Sequence, residues 1–192
     1  TATIWLLLTV SLGLALLFNF TSSLLPRDSL HYLSLHAHLG VVGWFLLLVL
    51  GVGSRLIPMF LISKYNEPRV LWAVFVLVNV ALVLYGGFFL YGFAPALNLI
   101  PAALVLAGLL LFVNYCRKAY IERIRKKVDD QMRTSLLAVA LLLLPTLVLI
   151  VLIVALLITT GAQANVVLLY GFTIFFGWLT AIILGMTFKT LP

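Results

Sequence analysis

Charge is what this chain has least of. Only 9% of its 192 residues are Asp, Glu, Lys or Arg, against about a quarter in soluble domains. So few charges cannot cover a water-facing surface, and with 65% hydrophobic residues the chain reads as an integral membrane protein. There is one cysteine, Cys116, which excludes an internal disulfide and a cysteine metal cluster. Acidic residues number five, and none lies inside an apolar stretch. A proton or cation path across a membrane normally needs one there, so their absence counts against a pump or an ion-coupled transporter. Phosphate-binding loops, paired carboxylates and nucleophile elbows are missing too.

Apolar stretches dominate what remains. A helical span takes about 20 mostly apolar residues, and six segments qualify: 3–20, 36–62, 70–92, 96–116, 134–159 and 165–190. The fold class is therefore an all-α membrane protein, a single bundle of six transmembrane helices over residues 1–192. Basic residues sort by side. Arg55, Lys64 and Arg69 flank one loop. Arg117, Lys118, Arg123, Arg125, Lys126, Lys127 and Arg133 fall in the segment 117–133, and Lys189 ends the sixth span. Only Arg27 lies on the other side. Lys and Arg accumulate in cytoplasmic loops, so both ends of the chain are expected in the cytoplasm, at a bacterial inner membrane. The net charge of +7 is thus a topology signal and not a nucleic-acid footprint; the expected partners are the lipid bilayer, its anionic headgroups and further membrane subunits. In "CRKAYIERIRKKVDDQMR", Ile121, Ile124, Val128 and Met132 recur at helical spacing. This predicts either an extension of the fourth helix or a helix lying on the membrane surface. Pro101 and Pro145 lie inside spans and are expected to kink them.

One stretch is said twice. "LHAHLGVVGWFLLLVLGVGSRLIP" at 35–58 returns as "LYGFTIFFGWLTAIILGMTFKTLP" at 169–192. Gly43 and Trp44 reappear as Gly177 and Trp178, Gly51 as Gly185, Arg55 as Lys189 and Pro58 as Pro192, each 134 residues on. His36 is matched by Tyr170. Spans two and six run in the same direction, so the pattern predicts a parallel repeat with a period of four helices: 1–116 as the first copy, 134–192 as the first half of a second. The motif runs to the last residue and Thr1 is not Met, so a longer natural chain is expected. At 100° per residue, His36, Gly40, Gly43, Leu47, Ser54 and Pro58 share one narrow face, expected to point into the bundle. Trp44 and Trp178 lie far from the interfacial belts and are expected to pack inside. Arg55 and Lys189 either snorkel to headgroups or pair with a carboxylate or propionate-like group.

Two histidines open the second span, while His31 reads as part of the loop before it. His36 and His38 point about 200° apart on a regular helix, so they cannot grip one metal together. Each is either an interfacial hydrogen-bonding group or an axial haem ligand or copper ligand. His36 is favoured because it shares the glycine face; His38 is expected against another neighbour or the headgroups.

A helix descending with His near its start, followed by "HAHLGVVGW" and "GVGSRLIPMF", resembles helix II of subunit I of the haem–copper oxidases. The likeness extends to nitric oxide reductases and to haem- and copper-binding membrane proteins of the nitric oxide response. It covers six helices in topology and the second helix in motif. It implies twelve helices in three groups of four, with helices 2, 6 and 10 equivalent, and a membrane-embedded haem-binding subunit for electron transfer or oxidase-like chemistry, respiratory or related to nitrogen oxides. By resemblance, His36 or His38 is the haem ligand, copper is the second candidate cofactor, and the partner histidine lies beyond residue 192. The family's copper-ligating histidine on helix 6 has no counterpart in "LLYGFTIFFGW". The competing readings are a non-enzymatic membrane protein, such as a sensor, a haem or copper carrier or an assembly partner, and a small-solute transporter. Against the transporter, Ser54, Asn79, Asn98, Thr146 and Thr180 are scattered polar residues and not a path.

Overall fold

The computed structural model describes residues 1–124, 127–158 and 164–190, and it is helical throughout its spans. Six helices are long and apolar enough to cross a membrane: α1 (Ala2–Ser22), α2 (Ser29–Leu61), α3 (Pro68–Leu90), α4 (Pro95–Ile121), α5 (Asp130–Ile158) and α6 (Ala164–Lys189). Leu7, Leu17, Val83, Val151 and Leu168 are exposed on their outer faces, as lipid-facing positions must be. The chain is an integral membrane protein by architecture.

Boundaries follow local chemistry. α2 starts seven residues earlier than hydropathy predicts, because the Asp28 carboxylate accepts a hydrogen bond from the His31 amide at 3.0 Å and caps the helix. His31, expected in a loop, is therefore in the first turn. Pro95 opens α4 with a 3₁₀ turn, Pro95–Asn98. Pro101 follows in the first α-helical turn, where an amide needs no partner, so it does not kink the helix. Pro145 does act as expected: the helical run is interrupted at Leu142, one turn before it.

The segment 117–133 is not a surface helix. α4 runs on to Ile121 and stops, and α5 begins at Asp130, capped by the Asp129 carboxylate on the Met132 amide at 3.0 Å. Val128 and Met132 are buried whereas Ile121 and Ile124 are exposed, so the spacing does not form one face. The connection instead packs on the turn after α2, where the Ile124 amide donates to the Ile62 carbonyl at 3.2 Å. Arg125 and Lys126 lie outside the described residues.

The largest buried side chains are Ile57, Leu61, Val78, Leu109, Phe112, Tyr115 and Met132. They fill the centre of the bundle toward its basic end, and Cys116 is buried beside them.

α2 and α6 lie side by side and run in the same direction. His38 meets Tyr170, Phe45 meets Trp178 at 5.6 Å between ring centroids, and Phe60 meets Lys189 at 5.3 Å. Both helices also widen into π-helix, over Leu39–Leu46 in α2 and Thr173–Leu179 in α6. Leu39 and Thr173 are separated by the same 134 residues as the sequence motif. The contacts of the paired residues, however, do not match. A Cβ built on Gly43 would lie 2.9 Å from Trp5, but one on Gly177 meets nothing within 4 Å; Gly51 is open, whereas a Cβ on Gly185 would lie 2.9 Å from the Ser135 amide nitrogen. Trp178 is buried as expected. Trp44 is not: it is 36% exposed and faces outward, because its neighbour Gly43 takes the position against α1. Pro192 lies outside the described residues.

Candidate functional site

His36 and His38 lie in the regular α-helical part of α2, Ser29–His38, just before the π segment, and point apart. The buried positions along this stretch are Leu35, Leu39, Gly43, Leu46 and Leu47. The narrow glycine face is real and it is covered by α1. Gly40 lies against Thr9, Gly43 against Trp5, and His36 against Gly13, where an added Cβ would stand 2.9 Å from the imidazole Cε1. His36 is thus wedged between α1 and α2, with its Nδ1 buried and without a hydrogen-bond partner. Ser54, further down, turns its hydroxyl back to the Gly51 carbonyl at 2.7 Å.

His38 points the other way, into the bundle. Its Nδ1 lies 2.7 Å from the Ser34 carbonyl, and its Nε2 lies 3.2 Å from the Tyr170 hydroxyl. A carbonyl only accepts, so Nδ1 carries the proton and Nε2 holds the lone pair, to which Tyr170 donates. The Tyr85 ring packs on the imidazole at 4.9 Å and the Tyr170 ring at 5.9 Å. Of the two histidines, His38 lines a cavity and His36 faces α1. Tyr170 does form a hydrogen bond, but with His38 and not with the residue it matches in the repeat.

Beside this pair, α2, α3, α4, α5 and α6 leave a cavity of about 270 Å³. Most of its wall is aliphatic, including Val41, Leu46, Leu109 and Leu152. Its polar groups are Ser34, His38, Tyr85, Asn98, Thr146 and Tyr170, with the Trp178 indole deeper in. Thr146 is satisfied by the Leu142 carbonyl at 3.5 Å. Asn98 Oδ1 and Trp178 Nε1 are buried without any partner. Among the described residues, no charged side chain lines the cavity. Asn98, Ser34 and Tyr85 were not legible as site residues, because each lies on a different helix or turn and carries no spacing signal.

The other polar residues of the spans are used locally. Asn79 accepts from the Trp5 indole at 2.9 Å, and Thr180 donates to the Phe175 carbonyl at 2.8 Å. They form no continuous polar path. Lys189 pairs with the Asp129 carboxylate and sits over the Phe60 ring, so of its two readings the carboxylate pair is the one realised. Arg55 is exposed at the bundle surface, as an anchor would be. Among the described residues, no three His, Cys, Asp or Glu side chains come together as a metal site. Comparison with protein-family models, with curated proteins and with solved structures found no match.

Proposed function

We propose that this chain is a membrane-embedded subunit of the electron-transfer, oxidase-like class, and that His38 engages its cofactor. The observation behind this reading is the pinned imidazole. With Nδ1–H held by the Ser34 carbonyl, Nε2 presents a lone pair to an apolar interior, which is how a ligating histidine is oriented. This donor set suits haem better than copper. A haem brings four ring nitrogens and asks one or two axial ligands of the protein, whereas a copper ion draws several donors from side chains. Bound there, a haem would supply one-electron redox chemistry. The chain's own contribution is His38 as ligand, Ser34 fixing the ring, and Tyr170 competing for Nε2. Space sets a condition. A cavity of about 150 Å³ admits a benzene ring, so about 270 Å³ holds something far smaller than a tetrapyrrole. His38 Nε2 would be free to hold such a group only with the Tyr170 hydroxyl withdrawn from it.

The test is the spectrum of protein purified in mild detergent from cells supplied with haem precursor. A Soret band near one haem per chain is expected, lost in His38→Ala and kept in His36→Ala. A colourless protein, or a band lost only with His36, overturns the reading. The charge distribution supports, as part of this reading, a cytoplasmic basic end at a bacterial inner membrane. A reporter fused after Lys127 is therefore expected to behave as internal, and an external signal reverses the orientation.

The size of the cavity favours a second reading, a non-enzymatic membrane sensor or carrier. In that reading the space beside His38 takes a small apolar ligand while Tyr170 stays in place.

A further inference from the structure

Two residues that line the cavity carry buried polar atoms with no hydrogen-bond partner among the described residues: Trp178 Nε1 and Asn98 Oδ1. Trp178 is 3% exposed, and its indole N–H can only donate. A buried donor without an acceptor is rare in folded proteins. The Tyr170 hydroxyl, which donates to His38 Nε2, does not accept it. The polar atoms are far apart along the cavity. Trp178 lies eight residues beyond Tyr170 in α6, about two turns deeper, and Asn98 lies at the start of α4. Between them the wall is aliphatic and, among the described residues, carries no charge.

We propose that this cavity is a binding site for an uncharged, lipid-soluble carbonyl compound of bicyclic size, whose oxygen accepts the Trp178 indole N–H. Each part of the class follows from the wall. The ligand is neutral because, among the described residues, no charged side chain faces it. It is mostly hydrocarbon because the lining is. It carries an acceptor because Trp178 offers only a donor. Its size follows from a volume somewhat under twice that of a benzene-binding cavity. It enters from the bilayer, where such compounds concentrate. The proposal rests on the sensor-or-carrier reading and does not require an iron on His38.

The probes are 1-tetralone and tetralin, bicyclic molecules that differ essentially in the carbonyl. Binding of each is measured by equilibrium dialysis with the protein in lipid nanodiscs, and binding to empty nanodiscs is subtracted. The wild type is expected to prefer the ketone by about tenfold, the equivalent of one hydrogen bond. Trp178→Phe keeps the ring and removes the N–H, so the preference falls below about twofold while tetralin binding is retained. Ala102→Leu fills the cavity at a buried position of its wall and abolishes binding of both probes. No ketone preference in the wild type, as when water alone satisfies the indole, overturns the proposal, and so does a preference that survives Trp178→Phe. If that variant does not fold, the indole N–H Raman band of the wild type decides: a shift with tetralone and none with tetralin supports the site, and no shift overturns it. The Soret test and the ketone test fail independently, so each reading can be lost without the other.

Discussion

Gly185→Val is expected to lower the thermal unfolding midpoint in detergent by roughly 6–12 °C, and Gly177→Ala to leave it unchanged or raise it slightly. The two glycines belong to the same repeated motif and look alike in sequence. Their surroundings differ. A side chain at Gly185 would press on the backbone of Ser135, with the amide nitrogen 2.9 Å and the Cα 3.1 Å away. Neither atom can swing aside as a flexible side-chain end could, and Ser135 is fully buried. Helices α5 and α6 must therefore separate. Overpacking of this kind costs about 1–3 kcal/mol, and more where backbone has to move. In a chain of this size each kcal/mol is worth about 2–4 °C. At Gly177 an added methyl meets open space, so only the small conformational benefit of removing a helical glycine remains. Circular dichroism melts of both variants check this directly. Equal losses at the two sites would mean that α5 and α6 do not approach as described.

Asp129→Ala should be the most damaging change among the charged residues, lowering the midpoint by about 5–10 °C. Asp129 acts twice. It caps α5 through the Met132 amide, and it pairs with Lys189 at the end of α6. Losing a helix cap costs about 1 kcal/mol. The ion pair is mostly shielded, with side-chain exposures of 13% and 27%, so it exceeds an open surface pair but does not reach the 3–5 kcal/mol of a fully buried one. Asp129→Asn keeps an acceptor for the cap and removes the charge. It is expected to lose about half as much, and Lys189→Met about as much as Asp129→Asn. If Asn were as harmful as Ala, the cap would contribute nothing. If Lys189→Met were silent, the pair would not hold α6 to the loop.

Much of the fold was legible from the chain alone, because a membrane imposes a simple rule. Apolar runs longer than a bilayer is thick must span it, and the six runs became six helices with boundaries off by a few residues. The largest boundary error, at α2, came from a cap. Asp28 is a polar residue and reads as loop, yet its carboxylate starts the helix. The candidate site was legible in part. His38 and Tyr170 were both marked, but as members of different relationships, His38 as the lesser histidine and Tyr170 as the counterpart of His36. Both histidines lie in the regular α-helical part of α2, before the π segment, so their opposed directions follow from periodicity, but which neighbour each direction meets does not. The glycine face was identified correctly, but a face of small residues says only that something comes close. Here the neighbour is α1, and it covers His36.

By itself, the sequence determined that this is a six-helix membrane bundle, that its basic residues gather at one end, and that two histidines on one helix face apart. Those properties depend on hydropathy, charge and local periodicity, which each segment carries alone. Only the tertiary structure decided which histidine opens on the interior, that Tyr170 meets it, that Lys189 pairs with Asp129, and that Trp178 and Asn98 end in a cavity with unmet hydrogen bonds. Each of these joins residues from separate helices. Such encounters depend on how the helices pack, and packing is a property of the assembled bundle.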